Sequence, residues 1–115
     1  SIDRLICEIN SKYMENWTVA SMADFCKLSE SYFSHTFKQR MGVPPMQFLS
    51  RLRIEKAKEF LTANSMSVST VARLVGYEDP LYFSRVFRKS TGIAPHKFYH
   101  SISYANTPEW FWKNE

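Results

Sequence analysis

Ser31, Ser34, His35 and Lys38 recur at intervals that, at about 100° per residue, bring them onto one face of a helix, with Phe33, Thr36 and Phe37 opposite. The arrangement returns as Leu81, Ser84, Arg85 and Arg88, set against Phe83, Val86 and Phe87. Hydroxyl, imidazole and guanidinium groups supply donors and acceptors suited to base edges, and the cation ending each stripe suits a phosphate. An ordinary amphipathic surface helix would show the same alternation. Other reactive residue types form no such set. There is no nucleophile with its base and orienting group, no phosphate-cradling glycine loop and no carboxylate pair, so no catalytic residue and no enzyme is expected. His96 and His100 stand four apart, but two ligands without a third do not make a zinc site, and neither metal nor cofactor is expected. Cys26 falls on the inward face of its helix, and Cys7 lies beside Ile6 in an apolar-rich stretch; both are expected to be buried and inert.

The elements that must carry these stripes are written twice. Thr18 to Phe48 recurs as Ser67 to Phe98: Val19 matches Val68, Ala23 matches Ala72, Tyr32-Phe33-Ser34 matches Tyr82-Phe83-Ser84, Phe37 matches Phe87, Gly42 matches Gly92, Pro45 matches Pro95, and Phe48 matches Phe98. Stacked solenoids need at least about three repeats to bury a continuous core, so two copies point to a tandem pair of small helical motifs. In each, a short helix leads through a tight turn to a second helix, the helix-turn-helix pattern. The glycine in the second turn, Gly76, suits a sharp bend. Its counterpart is Lys27, which makes the first turn either slightly strained or differently shaped.

Local signals predict the remaining organisation. Ile2, Leu5, Ile6, Ile9 and Tyr13 give an amphipathic first helix to about Glu15; Thr18 and Ser29 cap the second and third, and Gly42 stops the third. Pro44 and Pro45 open a longer helix with apolar groups on more than one side, so both halves can grip it. Ser67 caps the fifth helix, Pro80 starts the sixth, and a short helix runs from Pro95 to about His100. No segment alternates with a period of two, so the fold class is all-α, with about seven helices. The expected division is 1–44 for the first helix-turn-helix subdomain, 45–64 for a linker helix, 65–100 for the second subdomain and 101–115 for an aromatic tail. Trp110, Phe111 and Trp112 in that tail are costly to leave in water, so folding back onto the domain is the expectation, with a partner surface as the alternative.

Charge is uneven along this frame. Between Lys27 and Lys97 lie 12 of the 15 Lys and Arg residues but only 5 of the 11 Asp and Glu, the footprint expected of a surface that meets a polyanion, with an ordinary solvated surface as the equal alternative on charge alone. The two cysteines do not frame a disulfide scaffold, which suggests a reducing compartment; with no apolar run near the length of a membrane span and no signal-peptide pattern, a cytoplasmic protein with no membrane partner is expected. The chain opens on Ser1 rather than Met, as a processed product or a piece of something longer would.

Gly76-Tyr77-Glu78-Asp79-Pro80, Tyr82-Phe83-Ser84-Arg85, Phe87-Arg88 and Thr91-Gly92-Ile93-Ala94-Pro95 carry a specific resemblance. With two such motifs joined by a central helix, the chain from about Ile2 to His100 resembles the DNA-binding domain of the AraC/XylS family of bacterial transcription regulators. The resemblance implies that the third and sixth helices enter successive major grooves on one side of double-stranded DNA. Carried over, the base-reading positions fall on Ser31, Ser34 and His35, with Glu30 at the edge, and on Pro80, Leu81, Ser84 and Arg85. Lys38 and Arg88, and the backbone N–H groups around Val19 and Val68, suit phosphates. It further implies transcription activation through RNA polymerase and a sensing or dimerising domain outside this chain. A helical adaptor that docks another protein through the same stripes is the alternative, and it would lack the steep salt dependence of a DNA binder.

Overall fold

The computed structural model describes residues 1–63 and 66–98. Every regular element among them is helical: α1 (Ile2–Ser11), α2 (Val19–Phe25), α3 (Glu30–Met41), α4 (Pro45–Ala63), α5 (Val68–Leu74), α6 (Pro80–Thr91) and a seventh, α7, over 95–98. The all-α class and the tandem arrangement are as the sequence indicates. His100 and the aromatic tail lie outside the described residues.

Short polar residues start the helices where expected. Thr18 and Ser21 form a reciprocal box: the Ser21 N–H donates to Thr18 Oγ1 at 3.0 Å and the Thr18 N–H donates to Ser21 Oγ at 2.9 Å. Ser29 accepts from the Tyr32 N–H, Ser67 from the Thr70 N–H and Asp79 from the Leu81 N–H, each satisfying a donor that has no partner inside its helix.

One boundary differs from the sequence reading. α1 closes at Ser11, well before Glu15. Beyond it the carbonyls are held by side chains from outside α1: the Trp17 indole N–H donates to Lys12 O at 2.9 Å, and the Arg53 side chain donates to Tyr13 O and Glu15 O. Periodicity had no access to those donors, which lie up to 40 residues away.

The core repeats with the sequence. Phe33, Phe37 and Phe48 stack in the first motif with centroid separations of 5.6 and 5.5 Å; Phe83, Phe87 and Phe98 stack in the second at 5.8 and 5.3 Å. Phe33, Phe37, Phe83 and Phe87 are fully buried, each contributing on the order of 1.5–3 kcal/mol through burial. α2 packs on α3 and α5 on α6, while α4 contacts α3 of the first motif and α5 and α6 of the second. Both motifs are therefore referred to one rod.

Candidate nucleic-acid interface

The turn of each motif aims its second helix, and the two turns share one hydrogen-bond pattern despite different residues. Cys26, Lys27 and Leu28 donate their N–H groups to Met22 O, Asp24 O and Ala23 O, just as Val75, Gly76 and Tyr77 donate to Val71 O, Arg73 O and Ala72 O. Lys27 adopts φ 58°, a left-handed conformation that costs a non-glycine residue roughly 1–2 kcal/mol. Of the two alternatives left by the sequence, the strained turn of like shape is the one found. Gly76 sits at φ +106°, further from the region where side chains are tolerated. Ala23 and Ala72 are both buried at the helix crossing, where their small side chains permit close approach.

These turns leave α3 and α6 with matching faces. Ser31, His35 and Lys38 are exposed and Ser34 is half-buried; on α6, Leu81, Arg85 and Arg88 are exposed and Ser84 is half-buried. The buried phenylalanines on the opposite side fix the rotation of each helix about its axis. Leu81 is 75% exposed. Among the described residues, no carboxylate lies within ion-pair distance of Lys38, Arg85 or Arg88, whereas Arg40 is paired with Asp3 and the α4 lysines Lys56 and Lys58 with Glu59 and Glu55. The cations on the stripes thus keep their charge available to an external anion. Arg51 and Lys89, with Gln47, Ser50, Tyr82 and Ser90, line an open groove between α4 and α6 that extends the polar surface.

Val19 and Val68 stand at the first helical positions of α2 and α5, with half-buried side chains packed against the core. The capping bonds go to the N–H groups of Ser21 and Thr70, further into each helix. Pro80 occupies the first position of α6 and offers no N–H. Cys26 is buried as expected. Cys7 is exposed, contrary to expectation, because Ile2, Leu5 and Ile9 define the inward stripe of α1 and Cys7 falls outside it.

Two features escaped the sequence reading. Tyr32 and Tyr82, matched in the repeat, are 60% and 53% exposed and stand beside the polar stripes. Arg53, counted there only as one of the basic residues, is half-buried in a polar nest. Its Nε donates to Tyr13 O at 2.8 Å, its Nη2 donates to Glu15 O at 2.7 Å, and its Cζ lies 5.3 Å from the centroid of the Tyr77 ring. Burial lowers the Arg53 pKa from its ordinary value, with the neighbouring Tyr77 acting in the opposite direction. Guanidinium nevertheless remains the charged species at any physiological pH.

A paired helix-turn-helix domain with its polar faces turned outward is the class that this fold and surface define. The helix-turn-helix domain family matches residues 22–101. The arabinose operon regulatory protein of Escherichia coli (strain K12) is 40% identical over 97 residues, covering 83% of this chain and 33% of that protein. The lactose operon transcription activator of Staphylococcus xylosus is 33% identical over 98 residues, covering 85% and 35%. Among solved structures, the C-terminal domain of AraT, a response regulator from Geobacillus stearothermophilus, aligns with a TM-score of 0.84 at 30% identity, covering 87% of this chain and 84% of that one. The DNA-binding domain of AdpA, solved in complex with a target DNA, shares the fold with a TM-score of 0.86 at 22% identity, covering 90% and 94%. The chain belongs to the AraC-type helix-turn-helix family of transcription regulators. It spans about a third of the length of the curated relatives it matches.

Proposed function

We propose that this chain is the sequence-specific DNA-reading part of a transcription activator, with α3 and α6 entering successive major grooves. The matched exposure of the two stripes carries this reading: equivalent positions on α3 and α6 are solvent-facing, polar at most places and provided with cations that have no ion-pair partner among the described residues. In this arrangement Ser31, Ser34 and His35 face one set of base edges, and Leu81, Ser84 and Arg85 face the other. Arg85 is the principal reader on α6, because its fork can bond guanine O6 and N7 together, discriminating by about 1–3 kcal/mol. Leu81 offers only apolar contact, suited to a thymine methyl. Lys38, Arg88 and the backbone N–H groups at Val19 and Val68 hold phosphates and fix the docking. Residues 1–44 and 65–100 are the two reading units and 45–64 the spacer. Activation through RNA polymerase and control by a sensing or dimerising domain elsewhere in the protein complete the proposal.

Selection of bound sequences from a random duplex pool tests the core of it. Two preferred blocks about one helical turn apart are expected, with the block facing Leu81 less constrained. Arg85→Ala should weaken binding to the selected site by roughly 5- to 150-fold and leave random duplex nearly unaffected. An equal loss on every sequence would reduce Arg85 to a phosphate contact. Binding to random duplex that shows no salt dependence would remove DNA as the partner.

A further inference from the structure

Each helix-turn-helix motif is braced internally by its own phenylalanine cluster, but their mutual placement depends on α4 and what α4 carries. Arg53 projects from α4 and touches a segment on either side. Toward the first motif it donates to the carbonyls of Tyr13 and Glu15, in the stretch between α1 and α2. Toward the second it lies against the turn between α5 and α6: a Cβ added to Gly76 would stand 2.9 Å from Arg53 Cζ and 3.0 Å from both Nε and Nη2. The next residue, Tyr77, presents its ring to the same guanidinium, and its hydroxyl lies 3.4 Å from Ser50 Oγ, also on α4. One planar cation is thus enclosed by two carbonyls of one half and the turn of the other. The turn at Gly76-Tyr77 leads directly into α6, so its position determines where α6 starts.

We propose that Arg53 is a positioning residue that locks the two motifs at one separation and rotation, and so sets the spacing between the DNA blocks they accept. This rests on the DNA-reading function above. A planar fork is required: Nε and Nη2, on one edge of the guanidinium, each aim an N–H at a different carbonyl while the flat face lies against Gly76, and an ammonium group is a point charge with no such plane. The absence of a side chain at Gly76 serves the clamp as well as the turn. Spacing matters because each added base pair moves the second block by about 3.4 Å along the duplex and rotates it by about a tenth of a turn.

The test has one arm without DNA and one with it, both on the whole chain. Nitroxides placed by Gln39→Cys and Ser90→Cys, in a Cys7→Ser background that leaves only the buried Cys26, report the distance between α3 and α6. A single narrow distance is expected for the parent and a broadened one for Arg53→Met and Arg53→Lys, with thermal melts verifying that each variant is folded. Gly76→Ala displaces the guanidinium from the other side and should broaden the distance with Arg53 still present. Unchanged distributions in all three folded variants would overturn the clamp, and full restoration by lysine would overturn the requirement for a fork. In the second arm, selected duplexes carry the two blocks at native spacing or with one base pair inserted or removed. The parent should lose roughly tenfold in affinity on either change, about the effect of one mismatched base pair, and Arg53→Met should flatten that preference. An equally sharp preference in Arg53→Met would refute the role in spacing. If the parent bound no duplex at all, the DNA-reading function would fail, and the distances would still decide whether the clamp exists.

Discussion

Exchanging the residue types of the two turns should have opposite effects on stability. At Gly76, alanine must adopt φ +106°, a sparsely populated conformation that costs on the order of 1–3 kcal/mol, reduced by about 0.4–1 kcal/mol through loss of freedom in the unfolded chain. The new methyl also meets Arg53 Cζ at 2.9 Å, so the guanidinium must shift. If one of its two carbonyl bonds is lost, a further 1.5–3 kcal/mol or so follows. We predict a net destabilisation of about 2–4 kcal/mol for Gly76→Ala, or a melting temperature lower by roughly 10–20 °C. Lys27→Gly relieves a left-handed strain of roughly 1–2 kcal/mol against an unfolded-state cost of about 0.4–1 kcal/mol, a net gain of about 0.5–1 kcal/mol. Thermal and urea unfolding followed by circular dichroism measure both. The Arg53→Ala background then separates contact from dihedral strain: there the cost of Gly76→Ala should shrink by about 1 kcal/mol or more. Changes of the same sign at the two turns, or a Gly76→Ala effect within about 0.5 kcal/mol of the parent, would refute the reasoning.

Other perturbations probe separate parts of the molecule. Lys38→Ala should lower the slope of log affinity against log salt by about one unit; an unaltered slope would remove Lys38 from the phosphate contacts. Thr18→Ala breaks the reciprocal box with Ser21 and should cost about 1 kcal/mol, read from the urea midpoint at constant slope. Phe33→Ala and Phe83→Ala, at matched and fully buried positions, should each cost about 3–5 kcal/mol, and a marked inequality would show that the two cores are not equivalent. Under native conditions a thiol reagent should modify Cys7 rapidly and Cys26 only on unfolding; fast labelling of both would contradict the burial of Cys26.

The sequence by itself determined the helices, their order and the faces of α3 and α6. Those properties are encoded within a few residues: Thr18, Ser29, Ser67 and Asp79 satisfy donors of the turn that follows them, Gly42 and Gly92 stop their helices, and the phenylalanine spacing sets which side turns inward. Internal repetition added a second reading of each position, which is why the exposure of His35 and Arg85 could be anticipated from either copy. Only the tertiary structure decided the end of α1 and the inward direction of Arg53, whereas the outward direction of Cys7 follows from the Ile2, Leu5 and Ile9 stripe already written in the sequence. A guanidinium that serves Tyr13, Glu15, Gly76 and Tyr77 draws on segments remote from α4 in the chain, and no local periodicity records such a meeting. The polar faces of α3 and α6 follow from short-range geometry; their placement relative to one another follows from long-range packing on α4.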